Sequence, residues 1–195
     1  GIRGKHVTGV QTCARPIWQS FMVALDKNNG EEIWRVERQE RGQNWATPFV
    51  WENEVRTEIV TAGTQGVRSY DLDGTLLWEI HGMSGLTVPT PFAKHGLLYI
   101  SSGYPGGGLR PVYVVKPGAS GDISLWSQDD MRTGLSSGFP GTRASSEDVA
   151  WAYPLLGTYN TSALVYGDHY YTLLDRGLDR QSTRLHSSHV LISYA

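Results

Sequence analysis

The sequence predicts an all-β chain built from a repeated unit of four short antiparallel strands. Three observations carry that reading. First, Trp34, Trp78 and Trp126 recur at intervals of 44 and 48 residues, and Thr47-Pro48 and Thr90-Pro91 stand 43 apart. A fixed period in the 40s marks a repeat architecture. Second, Gly30, Gly74 and Gly121 each precede one of these tryptophans by four or five residues, as turn residues do. Third, 23 Gly, 7 Trp and 10 Tyr favour strands and turns, and helical spacing is not sustained in the central part.

The unit is clearest in its second copy. TPFVW (47–51), EIVTAG (58–63), GVRSYDL (66–72) and LLWEI (76–80) read as four strands separated by short turns. The turns NNG (28–30) and LDG (72–74) suit antiparallel hairpins because Gly tolerates positive φ. The next copy gives LLYIS (97–101), VYVVK (112–116) and ISLW (123–126), with Trp126 on the last strand. A final partial copy gives TSALVYG (161–167) and HYYTLLD (169–175). Four antiparallel strands per period of this length predict the blade of a β-propeller, here an open arc of about three to four blades. Helical repeats of similar length would need long helical runs. The Trp-Asp dipeptide of WD40 blades is absent, since Arg35, Glu79 and Ser127 follow the three tryptophans.

The stretch ALDKNNGEEIW (24–34) supplies Ala24, Asp26, Gly30 and Trp34 in a spacing that resembles the tryptophan-docking repeat of the pyrroloquinoline quinone (PQQ)-like β-propellers. That superfamily includes quinoprotein alcohol dehydrogenases and BamB-like assembly scaffolds. SYDLDGTLLW (69–78) repeats the pattern with Asp71, Gly74 and Trp78 and is one residue shorter between Asp71 and Gly74. The third copy, VVKPGASGDISLW (114–126), departs further: Lys116 stands near the Asp position, Gly121 has slipped, and Trp126 takes the docking position. The resemblance covers residues 21–175. It implies that the Trp packs between neighbouring blades, while the Asp accepts hydrogen bonds from turn amides. On this reading Trp78→Ala destabilises far more than Trp51→Ala.

The ends break the pattern. VTGVQTCARPI (7–17) and STRLHSSHVLISYA (182–195) resemble translated sequencing-adapter read-through. The expected organisation is therefore a non-native tail over 1–17, propeller blades over 18–178, and a second tail over 179–195. The single cysteine, Cys13, falls in the first tail and cannot form an internal disulfide. A net charge of −2 gives no reason to expect nucleic acid as a partner. No run of 18 apolar residues is present, so no membrane-spanning helix is expected.

Candidate chemistry is sparse. DLDGT (71–75) opens like a calcium loop, but Gly74 falls at the fourth position and Gly82 at the twelfth, so it reads as a turn. YPGGGLRP (104–111) lacks the Lys-Ser/Thr of a phosphate loop and reads as a hairpin loop. Residues 127–157, longer than a blade junction requires, read as a family-specific insertion or a ligand-contacting excursion. Asn160-Thr161-Ser162 matches a glycosylation sequon only by pattern.

The resemblance implies a non-catalytic, BamB-like scaffold. It would carry a protein partner or small ligand on a propeller face, in a periplasmic or other extracytoplasmic setting, with no cofactor and no catalytic or metal-binding residues. One alternative is a fragment of a PQQ-dependent quinoprotein dehydrogenase. That would bring PQQ, calcium, a vicinal cysteine pair and a general-base Asp, none of which can be placed on this sequence. Another is a propeller that binds or cleaves polysaccharide, at which Tyr153, Tyr159 and His169 hint. A serine hydrolase is not indicated, since no G-x-S-x-G is present.

Overall fold

A computed structural model describes residues 20–38, 42–64, 66–106, 109–126 and 144–173, together with the backbone of 189–193. The first predicted tail and the core of the 127–157 excursion lie outside these residues. The described part contains strands and no helix. The strands form four sheets in chain order.

The first sheet is the hairpin β1 (Ser20–Leu25) and β2 (Glu32–Arg38). The second is an antiparallel meander of β3 (Phe49–Glu52), β4 (Thr57–Ala62), β5 (Gly66–Tyr70) and β6 (Leu76–His81). The two-residue β10 (Gly121–Asp122) adds to its β6 edge in parallel. The third sheet contains β7 (Phe92–Lys94), β8 (Leu97–Ser101), β9 (Val112–Val115) and β11 (Val149–Tyr153). The fourth contains β12 (Leu164–Tyr166), β13 (His169–Leu173) and β14 (His189–Ser193). β14 lies in the segment expected to be a non-native tail, and its backbone pairs antiparallel with β13.

The sheets stack face to face through their alternating side chains. Trp51, Val60, Ala62, Val67, Trp78 and Ile80 of the second sheet pack against Leu98, Ile100, Tyr113, Val115 and Val149 of the third. The opposite face of the third sheet sends Tyr99, Val112, Val114 and Trp151 against Tyr170 of the fourth. This explains why VYVV in β9 is buried at every position. A strand covered on both faces reads as a continuous apolar run rather than an alternating one.

The strand expected at 123–126 is not formed. Gly118 and Gly121 hold positive φ (88° and 71°), and the chain turns off the third sheet onto the second. There Gly121 pairs with Trp78, the Ile123 N–H donates to the Glu79 carbonyl at 3.0 Å, and the His81 N–H donates to Ser124 Oγ at 2.8 Å. The free edge of β9 is taken instead by β11, a strand from within the 127–157 excursion.

Candidate functional site

The candidate site is the hairpin that carries the repeated Asp, Gly and Trp. In the first sheet the Asp26 carboxylate accepts from the backbone N–H of Asn28 at 2.7 Å and of Asn29 at 3.3 Å. Gly30 turns the chain at φ 77°, and the Asp26 N–H closes the turn on the Glu31 carbonyl at 2.8 Å. The second sheet repeats this. Asp71 accepts from the N–H of Thr75 at 2.7 Å and of Asp73 at 3.0 Å, Gly74 sits at φ 85°, and the Asp71 N–H donates to the Thr75 carbonyl at 2.9 Å. The amide of Thr75, with that of Asp73, holds the Asp71 carboxyl below its usual range.

Register fixes the third copy. Trp34 lies opposite Ala24, two residues before Asp26, and Trp78 lies opposite Ser69, two residues before Asp71. In the third sheet Trp151 lies opposite Val114, two residues before Lys116. The closing backbone bond recurs as well. The Lys116 N–H donates at 2.8 Å to the carbonyl of Asp148, three residues before Trp151, as Glu31 and Thr75 stand three before Trp34 and Trp78. Lys116 thus holds the position of the aspartate and Trp151 that of the tryptophan, with residues 117–147 inserted in the turn between them. The lysine also secures the base of the insertion, its ammonium donating to the Glu147 carbonyl at 2.7 Å.

Three of the tryptophans lie between sheets. The Trp34 indole N–H donates to the Leu72 carbonyl in the next sheet at 2.8 Å. A methyl on Gly74 would meet the Trp34 ring at 3.0 Å, so that glycine answers both to positive φ and to the neighbouring indole. Trp78 is fully buried between the second and third sheets, and Trp151 is buried between the third and fourth. Trp126 stands apart from this series. It is partly buried, outside any strand, and tilted against Tyr113 at 5.2 Å. Gly121 is exposed, with open space where a side chain would extend.

A polar centre that no motif singled out holds Trp78. Glu58 is fully buried. One carboxylate oxygen accepts from the Trp78 indole N–H at 2.7 Å and from Ser69 Oγ at 2.5 Å. The other accepts from Arg56 Nε at 3.0 Å and Asn53 Nδ2 at 3.2 Å. Arg56 also donates to the Ala119 carbonyl, which ties this centre to the turn after β9. A buried carboxylate is tolerated when its lone pairs are met in this way. Trp51, opposite Glu58 in the register, is 1% exposed. The expected gap between Trp51 and Trp78 therefore closes, since both are core residues.

A small cavity of about 200 Å3 opens between the β7–β8 and β12–β13 turns, lined by His95, Tyr99, Asp168, His169 and Tyr170. The aromatic cluster suggested by Tyr153, Tyr159 and His169 is not assembled there. Tyr153 lies edge-on to Trp151 at 6.0 Å and Tyr159 edge-on to Tyr104 at 5.4 Å, while His169 sits at the opposite end of β12 from Tyr159. Among the described residues, no group of three or more His, Cys, Asp or Glu could hold a metal ion. No described helix is long and apolar enough to cross a membrane.

Tyr170 Oη and Thr172 Oγ1 are buried without well-formed hydrogen bonds among the described residues, with the Ser101 and Thr172 side chains near enough to act on the Tyr170 phenol. Burial pushes the Tyr170 phenol well above its usual range. Tyr170→Phe is expected to leave stability within about 0.5 kcal/mol of the parent or to raise it, because a buried hydroxyl without a well-formed hydrogen bond contributes little and costs desolvation. Urea denaturation of the two proteins checks this.

Comparison with protein-family models and with curated proteins returns no match to this chain.

Proposed function

We propose that the chain is a segment of a PQQ-like β-propeller acting as a non-catalytic, BamB-like scaffold, its four sheets serving as successive blades of an open arc. The observation that carries the reading is the register-matched hairpin in three successive sheets, with Trp34, Trp78 and Trp151 opposite Ala24, Ser69 and Val114. Each tryptophan closes the gap to the following sheet, as the resemblance implies for a docking residue. The polar side chains that are most buried, led by Glu58, are spent on holding strands together. An extracytoplasmic setting belongs to the same proposal.

Two measurements test it. Hydrogen exchange is expected to be slowest at the amides of β9, which is sandwiched, and faster at β1 and β12, which flank the stack. Equal protection across the sheets would sink the stacked-blade reading. Separately, melting temperature is followed while PQQ with calcium, and then acidic and neutral oligosaccharides, are titrated in. The scaffold reading expects no saturable rise. A rise with PQQ and calcium would turn the assignment to a quinoprotein dehydrogenase, and a rise with a sugar to a polysaccharide-binding propeller.

A further inference from the structure

We infer that Asn29 is a self-modifying site. In the folded protein its side-chain amide is lost through a succinimide formed with the Gly30 backbone nitrogen, leaving aspartate and isoaspartate at the tip of the first hairpin. Of the five asparagines in the sequence, Asn29 is the one followed by glycine, which has no side chain to crowd its nitrogen. Asn29 is exposed, so solvent reaches both partners of the reaction.

The turn arranges the reacting groups. Asn29 Oδ1 accepts from the Glu31 N–H at 2.9 Å, and Asn29 Nδ2 donates to Glu31 Oε2 at 3.0 Å. The first of these bonds makes an Asx turn. The ring it closes contains both Asn29 Cγ and the Gly30 nitrogen, so the side chain is folded back over the next peptide. The Gly30 nitrogen gives its proton to solvent base and bonds to Cγ. Negative charge then develops on Oδ1, where the Glu31 N–H already points. The Cγ–Nδ2 bond breaks, and Nδ2 leaves as ammonia with a proton from water. A second water opens the five-membered ring at either carbonyl, giving aspartate from one side and isoaspartate from the other. The Gly30 N–H also donates to the Asp26 carbonyl at 2.8 Å, and this bond must break first. The folded chain therefore reacts more slowly than the unfolded one.

The second hairpin shows what the turn contributes. Asp73-Gly74 stands in the place of Asn29-Gly30 and would close the same ring. There the N–H two residues on, that of Thr75, donates to Asp71 at 2.7 Å, so it is not available to Asp73. Asp73 is exposed even though Trp34 of the first sheet covers Gly74. Exposure of the residue before the glycine thus does not depend on an uncovered turn, and a further blade beside the first sheet would leave Asn29 open.

The test incubates the full chain, folded, in mildly alkaline buffer and follows it by tryptic peptide mapping. Cleavage after Lys27 and Arg35 releases residues 28–35. This peptide is expected to gain, with time and faster at higher pH, the mass of one amide replaced by one carboxylate. Fragment ions are expected to place the change on Asn29, with isoaspartate among the products. Asn29→Gln is expected to abolish it, because the longer side chain would have to close a six-membered ring. Asp73 is expected to stay unchanged over the same period. Conversion in the urea-unfolded chain but not in the folded one, or conversion at Asn28 instead, would overturn the proposal. So would aspartate without isoaspartate, which marks direct hydrolysis of the amide. Isomerisation at Asp73 as fast as conversion at Asn29 would overturn the part assigned to the Glu31 N–H.

Discussion

Trp78→Ala is expected to lower unfolding free energy by about 3–5 kcal/mol, and Trp51→Ala by a loss of the same order. Each side chain fills the interface between the second and third sheets and is at most 1% exposed. Removing either leaves a cavity between two packed sheets that cannot readily close. Trp78 carries an additional cost. Its indole N–H is one of four side-chain donors to the buried Glu58 carboxylate, so Trp78→Phe should keep most of the packing and still cost about 1–3 kcal/mol. A double-mutant cycle between Trp78→Phe and Glu58→Gln isolates that share, because residues in one hydrogen-bond network do not behave additively. Denaturant melts of the four proteins decide it. A Trp51→Ala loss below about 1 kcal/mol would contradict the burial on which the argument stands.

What could be read from the sequence was local. The hairpins at 26–34 and 71–78 announced themselves because Asp, Gly and Trp lie within one turn of each other, and the turn fixes their register. The third hairpin was hidden because residues 117–150 separate Lys116 from Trp151. A nearby Trp126 stood at almost the right interval, and the apolar run before it imitated a strand. Only the chain's departure at Gly118 and Gly121, and the claim of β11 on the edge of β9, separate the two tryptophans. Glu58 left a fainter signal. In β4 it alternates with Val60 and Ala62, so a period of two already places a charge on the buried face. What the alternation could not supply was its partners, because Asn53, Arg56, Ser69 and Trp78 converge on it from two strands and a turn. The stacking order of the sheets was beyond reach of spacing altogether, since it depends on which faces meet.

The same limit governs the second large effect, expected at a glycine that no motif singled out. Gly157 lies in the connection from β11 to β12, where its N–H donates to the Arg110 carbonyl. The Arg110 N–H in turn donates to the Pro154 carbonyl at 2.9 Å, and the Ser102 N–H to the Pro111 carbonyl at 3.1 Å. Three stretches of backbone are thus drawn together, and a methyl on Gly157 would run into the carbonyl oxygens of Ser102 and Pro111. Gly103 faces the same contact from the other side, against the carbonyl of Gly157 and the backbone of Thr158. Neither obstacle is a flexible side chain that can swing away, so strand ends in the third sheet would have to move. Gly157→Ala is expected to cost about 3 kcal/mol or more, at or past the upper end of ordinary overpacking. Gly30→Ala is the matched control. Its added methyl meets open space, and only the positive φ of 77° is strained, for a cost of about 1–2 kcal/mol. Equal losses for the two substitutions would mean that the three backbones are not held as close as this, and that the connection after β11 is free to yield.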